Sequence, residues 1–309
     1  MALTKVSNSM LVQPVNHNIL INPSFTVKQR GDVVDHKGHT SLFGPDRWKL
    51  RAIGNVGGTK LESSTEVDAA TGINKLVVKH PRDATDPIKS FAYIIQRIEA
   101  VNLQGLYGKE MTFSLGYSDV GGSGIPNVVV GSYDSSDTYK ELFQALPTSL
   151  GDNRWTCTFT LSTTDGTIPD PSERGLDIVI HANEKNNAPN EWRVWETKLE
   201  VGSVVTPFIA RSHGEELSLC QRYYFVNDPD GLGTYMAGGA YTRFQTTAIH
   251  VINFPTTMRA SPTIGSYTLS VVDTVDTITG VGFCRFSGSA KSEDTIAKIT
   301  SSVAFDAEL

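Results

Sequence analysis

Cysteine is scarce in this chain: Cys157, Cys220 and Cys284 are the only three among 309 residues, and no two are spaced as CxxC. Three thiols in this spacing suggest neither a disulfide framework nor a four-ligand zinc site. The fold must therefore rest on a packed core, with the thiols reduced and buried. Positive charge is also short, since 27 Lys and Arg stand against 33 Asp and Glu for a net charge of −6, and no basic cluster occurs. Duplex binding relies on a concentrated Lys/Arg surface, which excludes a nucleic-acid partner. No apolar run approaches the roughly 18 residues of a membrane-spanning helix, and the N-terminus lacks the charged-then-apolar order of a signal peptide. The expectation is a soluble protein made in a cytoplasm, without membrane insertion. There is also no internal repeat and no low-complexity tract.

What the chain does have is period-2 alternation. In Trp155-Thr-Cys157-Thr-Phe159-Thr-Leu161 the large side chains take one face and three threonines the other, the pattern of a half-buried antiparallel strand. Met111, Phe113, Leu115 and Tyr117 alternate with small polar residues in the same way, as do Leu176, Ile178 and Ile180 with Asp177 and Val179. Gly/Ser/Asp/Pro loops separate these segments, which points to a sandwich of short strands. At this length folding buries roughly three-quarters of the unfolded surface, enough for two cores.

The expected organisation is all-β: an extended N-terminal arm over residues 1–18, a jelly-roll β-sandwich over 19–211, a short connecting helix over 212–225 and a smaller C-terminal β-sandwich over 226–309. The arm carries Lys5 as its only charged side chain besides His17 and shows no sustained period, so its ordering has to come from a partner. The helix is read from Ser212 with Glu215 three residues on, a capping-box spacing, followed by Leu217, Cys220, Gln221 and Tyr224. A second short helix is expected at Tyr139–Ala145, inside a long inter-strand loop. In the C-terminal domain, strands are expected at Thr242–Phe254, Ser266–Val272, Gly280–Phe286 and Thr295–Phe305.

Candidate chemistry is sparse. Four tryptophans invite sugar stacking, because an aromatic face packs against the C–H face of a pyranose. Trp155 shares its face with Phe159 and Leu161, Trp195 shares parity with Leu199 and Val201, and Trp48 is also assigned to the core. Trp192 has the opposite parity and is the tryptophan expected to be exposed for ligand. In GLGTYMAGGAYTRF, Tyr235 and Tyr241 lie among glycines beside Arg243, a composition suited to recognition. The plainer reading makes them turn or interface tyrosines.

His36 and His39 lack a third convergent ligand, and NDPDG (residues 227–231) lacks the spaced ligands of a calcium loop, so no metal and no cofactor are expected. Ser123 lacks a strand–elbow–helix context, and Glu215 and Glu216 diverge on a helix. Glu173, Asp177 and Glu196 are not assembled into a pair by sequence. No enzyme activity is expected.

Four segments in order carry a resemblance: NILINPSFTVKQRG with PDRW (Asn18–Trp48), WRVWETKLEVGSVVTPFIAR (Trp192–Arg211), HGEELSLCQRYYF (His213–Phe225) and FPTTMRASPTI (Phe254–Ile264). Together they resemble bacteriophage virion proteins, chiefly tail-fibre and receptor-binding chains with a carbohydrate-binding-module-like jelly-roll domain. The first two bracket the jelly roll. The resemblance implies a homotrimer in the virion. Its arm would hold other virion proteins of tail or capsid, and its C-terminal tip would meet a host-surface glycan through Tyr235, Tyr241 and Arg243, or else through the Trp192 face. Some similar jelly rolls hold a structural calcium near the chain ends, where Asn22 and Glu200 fall. Alternative readings are a capsid-decorating fibre, a free carbohydrate-binding module or lectin, and a polysaccharide depolymerase. The last usually carries a repetitive β-helix, and nothing here repeats.

Overall fold

A computed structural model describes residues 17–36, 41–53, 61–80, 91–120, 124–133, 138–161, 175–182, 191–227, 234–235, 247–266, 269–270, 272–290, 298–299 and 303–308. The chain forms two compact units, Met1–Arg211 and Ser212–Leu309, each with its own hydrophobic core.

The first unit holds thirteen described strands: β1 (Val33–His36), β2 (Leu42–Phe43), β3 (Lys49–Ile53), β4 (Leu61–Val67), β5 (Asn74–Lys79), β6 (Phe91–Ile98), β7 (Glu110–Val120), β8 (Pro126–Tyr133), β9 (Tyr139–Ala145), β10 (Thr148–Gly151), β11 (Arg154–Thr160), β12 (Leu176–Ala182) and β13 (Glu191–Val201). They form a seven-stranded sheet in the order β1-β4-β5-β13-β7-β11-β10 and a six-stranded sheet in the order β2-β3-β6-β12-β8-β9. The described pairings are antiparallel. Alternation turns Phe113, Leu115 and Tyr117 of one sheet and Ile94, Ile178, Ile180, Val128 and Val130 of the other into a single core. Each fully buried aliphatic or Phe side chain contributes about 1.5–3 kcal/mol. Trp48 closes one end of this core: it is fully buried, its indole N–H donates to the Asn22 carbonyl at 2.9 Å, and its ring lies 5.1 Å from Phe25.

Tyr139–Ala145, expected as a helix, is strand β9. Its Lys, Glu, Leu and Gln favour a helix only locally, by a few tenths of a kcal/mol each. Against that, β8 offers a full ladder of backbone partners, and Phe143 stacks on Phe159 of the opposite sheet at 5.2 Å.

The parity reading of β13 is corrected as well. Trp192 is only 2% exposed and packs in the core beside Tyr117, 6.0 Å between rings. Trp195 leaves the core and lies on the outer side of the sheet against Gly116, where a Cβ would sit 2.1 Å from the indole. The cause is a bulge: Trp195 pairs with Gly116, but the next register pair is Lys198 with Ser114, so one extra residue enters β13. Glu196 takes a left-handed φ of 45° there. An extra residue reverses the face of everything beyond it. Leu199 therefore faces the core with Trp192 and Val194 rather than with Trp195. The backbone groups freed at the bulge go to the N-terminal segment, since Thr197 N–H donates to the Pro23 carbonyl at 3.1 Å and Asn18 Nδ2 donates to the Thr197 carbonyl at 2.9 Å. Asn18, expected to end the arm, is thus built into the sandwich. The rest of the expected arm, apart from His17, lies outside the described residues.

The second unit begins with α1 (His213–Gln221), capped by the Ser212 hydroxyl accepting from Glu215 N–H at 3.3 Å. The helix stops at Gln221, short of the expected Phe225, because Tyr224–Asn227 pairs as strand β14. Further described strands are β15 (Thr234–Tyr235), β16 (Thr247–Asn253), β17 (Thr263–Ile264), β18 (Leu269–Ser270), β19 (Val272–Thr279), β20 (Phe283–Ala290), β21 (Lys298–Ile299) and β22 (Val303–Asp306). Three three-stranded sheets result: β14-β22-β17, β15-β21-β18 and β16-β20-β19. Phe254, Phe286 and Phe305 fill the core, with Phe225 stacked on Phe305 at 6.0 Å. The three cysteines are buried and in no disulfide; burial pushes the Cys157 thiol up to about 12 and the Cys284 thiol up to about 11.

Candidate functional site

The sequence-predicted site residues are scattered. Trp192 is a core residue and offers no surface to a ligand. Tyr235 belongs to β15, paired with Lys298 of β21, while Tyr241 and Arg243 lie outside the described residues, as do Ser123, Glu173 and His39. Asp177 and Glu196 belong to different sheets, and each is held by an arginine. Arg97 grips Asp177 through two hydrogen bonds of 2.6 and 2.7 Å, and Arg154 meets Glu196 at 3.0 Å.

The residues where a calcium was implied do not fit one. The Asn22 amide is spent inside the opening loop, accepting from Val27 N–H and donating to the Val27 and Asp46 carbonyls. Glu200 is fully buried, accepts from Thr206 N–H at 2.9 Å and from the Thr206 hydroxyl at 2.5 Å, and faces the Lys198 ammonium at 3.1 Å. That ammonium, itself buried, also donates to the Thr206 hydroxyl and to the carbonyls of Thr206 and Pro207. A protein cation already balances the carboxylate, and a second positive ion there would be repelled by it.

A different surface gathers convergent groups: the outer face of the six-stranded sheet. Register places Arg51, Tyr93, His181 and Asn127 side by side across β3, β6, β12 and β8. With strands about 4.8 Å apart, that row is roughly 14 Å long. The next row on the same face is Lys49, Ile95, Val179, Val129 and Gln144, and the one after contains Arg97, Asp177, Gly131 and Glu141. The face therefore has an apolar floor of Ile95, Val179 and Val129 between two polar rows.

Tyrosines rise from both sides of this floor. Tyr133 and Tyr139 meet edge to face at 5.3 Å, and the Arg97 guanidinium lies 4.7 Å from the Tyr133 ring centre. The Tyr139 phenol rests on Gly131, where a Cβ would be 2.2 Å from its hydroxyl oxygen. Burial raises the Tyr139 pKa, and the nearby charges of Asp177 and Glu141 and the phenols of Tyr133 and Tyr93 raise it further. Burial also raises that of Tyr93 by more than the Arg51 charge lowers it. Both rings are thus neutral hydroxyl donors and acceptors at ordinary pH.

Two polar atoms on this face stand out. Arg51 Nε and Asn127 Oδ1, at the two ends of the 14 Å row, are shielded from water yet have no hydrogen-bond partner among the described residues. Leaving a buried donor or acceptor unmade costs about 1–3 kcal/mol each. Accessible tyrosine rings beside a row of polar side chains are what a polyhydroxylated, partly apolar ligand uses.

Sequence reasoning missed this face. Its signal was in the strands themselves: FAYIIQRI places Tyr93, Ile95 and Arg97 on one parity, and KLRAI places Lys49 and Arg51 on one parity. What was missing was strand order, since β3, β6, β12 and β8 are far apart in sequence and become neighbours only through the sheet topology.

No family model matches the sequence, and no curated protein matches it. Among solved structures, the chain is similar to the enzymatically active domain of tailspike protein 4 of bacteriophage CBA120, with 9% identity and a TM-score of 0.35 over 60% of this chain and 21% of that one. It is also similar to the CBM22-1 xylan-binding domain of Paenibacillus barcinonensis Xyn10C, with 10% identity and a TM-score of 0.35 over 63% of this chain and 100% of that one. A third is the family 11 carbohydrate-binding module of Clostridium thermocellum, solved with a mixed-linked tetrasaccharide, with 13% identity and a TM-score of 0.33 over 57% of this chain and 97% of that one.

Proposed function

We propose that this protein is a non-enzymatic structural component of a bacteriophage virion, a tail-fibre or receptor-binding subunit, whose jelly-roll unit binds host-surface glycan on the outer face of its six-stranded sheet. The observation that carries the glycan reading is the gathering of three accessible rings, the exposed Tyr139 and the half-buried Tyr93 and Tyr133, on one outer face beside the polar row of Arg51, His181 and Asn127. A pyranose ring lays its C–H face on tyrosine and exchanges hydroxyl hydrogen bonds with the polar rows. The four-segment sequence resemblance supports the virion setting and the homotrimer. Three modest glycan sites held together in a trimer would bind a cell surface far more tightly than one, without any new contact.

The test compares two double variants for adsorption to host cells and for binding on a glycan array. Tyr93→Ala with Tyr139→Ala is expected to abolish binding while leaving the melting temperature nearly unchanged, because both rings lie on the outer face. Tyr235→Ala with Tyr241→Ala is expected to keep it. The reverse outcome moves the contact to the C-terminal unit and sinks the sheet-face reading. Labelling the protein in intact phage particles, where it is expected on the tail, separates this role from that of a capsid fibre or a free carbohydrate-binding module.

A further inference from the structure

Between the last strand of the first unit and the helix that opens the second runs a strap without regular structure, residues 203–211. Its apolar side chains do not hold it down: Val204 is 61% and Ile209 58% exposed, and Val205 and Phe208 are only half-buried. Thr206 is the single buried residue of the strap, and every polar group it has turns to one ion pair. Its N–H donates to one Glu200 carboxylate oxygen at 2.9 Å and its hydroxyl to the other at 2.5 Å, while that hydroxyl and the Thr206 carbonyl accept from the Lys198 ammonium. The same ammonium donates to the Pro207 carbonyl at 3.1 Å and stands 3.1 Å from Glu200. At the far end of the strap, Arg211 donates to the carbonyls of Asn18 and Leu20. A strap that buries one threonine and leaves its larger apolar residues in water is held by charge at both points.

The surroundings of the Lys198 nitrogen are those of a bound ion. Four oxygens face it: one of the Glu200 carboxylate, the Thr206 hydroxyl, and the carbonyls of Thr206 at 3.3 Å and Pro207 at 3.1 Å. The Thr206 hydroxyl proton is committed to Glu200, so a lone pair is turned to the nitrogen. Both charged side chains are sealed from water, at 2% and 0% exposed. One negative charge and wide oxygen spacings suit a large monovalent cation such as ammonium or potassium. Calcium takes about six to eight oxygens at about 2.3–2.6 Å, and the shell here is too sparse and too wide for it.

We propose that Lys198 acts as a tethered cation that locks the strap onto the sandwich, and that a free monovalent cation of similar size fills its cage when the lysine side chain is cut back. The lock is separate from glycan recognition, since it lies on the other sheet, where β13 pairs Lys198 with Ser114 and Glu200 with Thr112 of β7. It makes strap closure independent of metal supply, because the buried carboxylate already has its counter-charge. A free cation needs no route through the closed protein: the hydroxyl and both carbonyls of the cage belong to the strap, so the ion is enclosed as the strap folds down.

The experiment uses the full-length protein, unfolded and refolded in ammonium, potassium, lithium or tetramethylammonium chloride at one ionic strength. Lys198→Ala opens the cage. In lithium or tetramethylammonium its melting temperature is expected to fall by roughly 6–20 °C, with the amide at position 206 exchanging its hydrogen about 100-fold faster or more. Ammonium and potassium are expected to restore much of both. Lys198→Met removes the same charge but leaves a stem that fills the space, so no salt is expected to rescue it, a difference that ionic screening would not produce. The wild type is expected to be indifferent to chelators and to the choice of salt. Equal response of Lys198→Ala to all four salts, or rescue of Lys198→Met, overturns the cage, and a wild type that loses protection at position 206 on chelation overturns the tethered-cation lock. Should Lys198→Ala refold in none of the salts, Thr206→Val decides. It keeps both charges and is expected to fold with the amide at position 206 exchanging about tenfold faster or more, whereas unchanged protection there overturns the lock.

Discussion

The two outer faces of the first unit are built from the same kind of antiparallel strand over one shared core, yet they end in opposite states. On the seven-stranded sheet the charges answer one another within the face. Arg193 bonds Glu66 at 2.6 Å and Glu191 at 2.5 Å, Lys79 lies 3.8 Å from Glu191, Arg154 holds Glu196, and Lys75 pairs with Asp68 at 2.6 Å while its ammonium sits 4.8 Å from the Trp195 ring centre. Trp195 lies down on Gly116, and Lys198 with Glu200 is sealed under the segment around Thr206. On the six-stranded face Arg97 pairs with Asp177 beside the rings of Tyr93, Tyr133 and Tyr139. What separates the two faces is the exposure of their rings: Tyr139 is exposed and Tyr93 and Tyr133 are half-buried, whereas Trp195 is 7% exposed. The lesson is that aromatic content alone does not make a ring accessible: Trp192 is taken by the core and Trp195 is covered where it lies on Gly116.

That contrast is open to attack at several points. The largest effect is expected from Trp192→Ala, which empties a core position and should cost about 3–5 kcal/mol, measured by denaturant unfolding. A loss below about 1 kcal/mol would mean that Trp192 is an outer-face residue after all and that the bulge does not reverse β13. Gly116→Ala comes next. Its new methyl meets the Trp195 ring, and the expected penalty is about 1–3 kcal/mol without any change in glycan binding; an unchanged melting temperature would show that Trp195 does not lie on that glycine. The smallest effect belongs to Arg193→Ala, which breaks exposed ion pairs worth about 0.2–1 kcal/mol that fade as salt rises. Glycan affinity should not respond. If Arg193→Ala weakened glycan binding as strongly as Tyr93→Ala with Tyr139→Ala, the self-paired face would share in recognition and the comparison would fail.

Much of the fold was legible in the sequence because it depends on short-range periodicity. The alternation in residues 111–117, 155–161 and 176–180 gave strands whose large residues face the core, and Ser212 with Glu215 gave the helix start. The errors came where a non-local partner outweighs a local preference. Tyr139–Ala145 is drawn into strand by the open edge of β8, and Trp192 and Trp195 exchange faces because of one inserted residue at the Glu196 bulge, where Thr197 bonds Asn18 and Pro23, more than 170 residues away.

By itself the sequence determined a mostly β protein of net negative charge. These follow from composition and from a period of two, which any stretch of chain carries within itself. Only the tertiary structure decided which parity of each strand faces out, which strands are neighbours, and hence that Arg51, Tyr93, His181 and Asn127 stand in one row. The physical reason is that the ladder hydrogen bonds that set strand order join backbone to backbone, and backbone groups are the same in every residue. Side chains bias that order only through packing, so a site assembled across four strands is written in no single one of them.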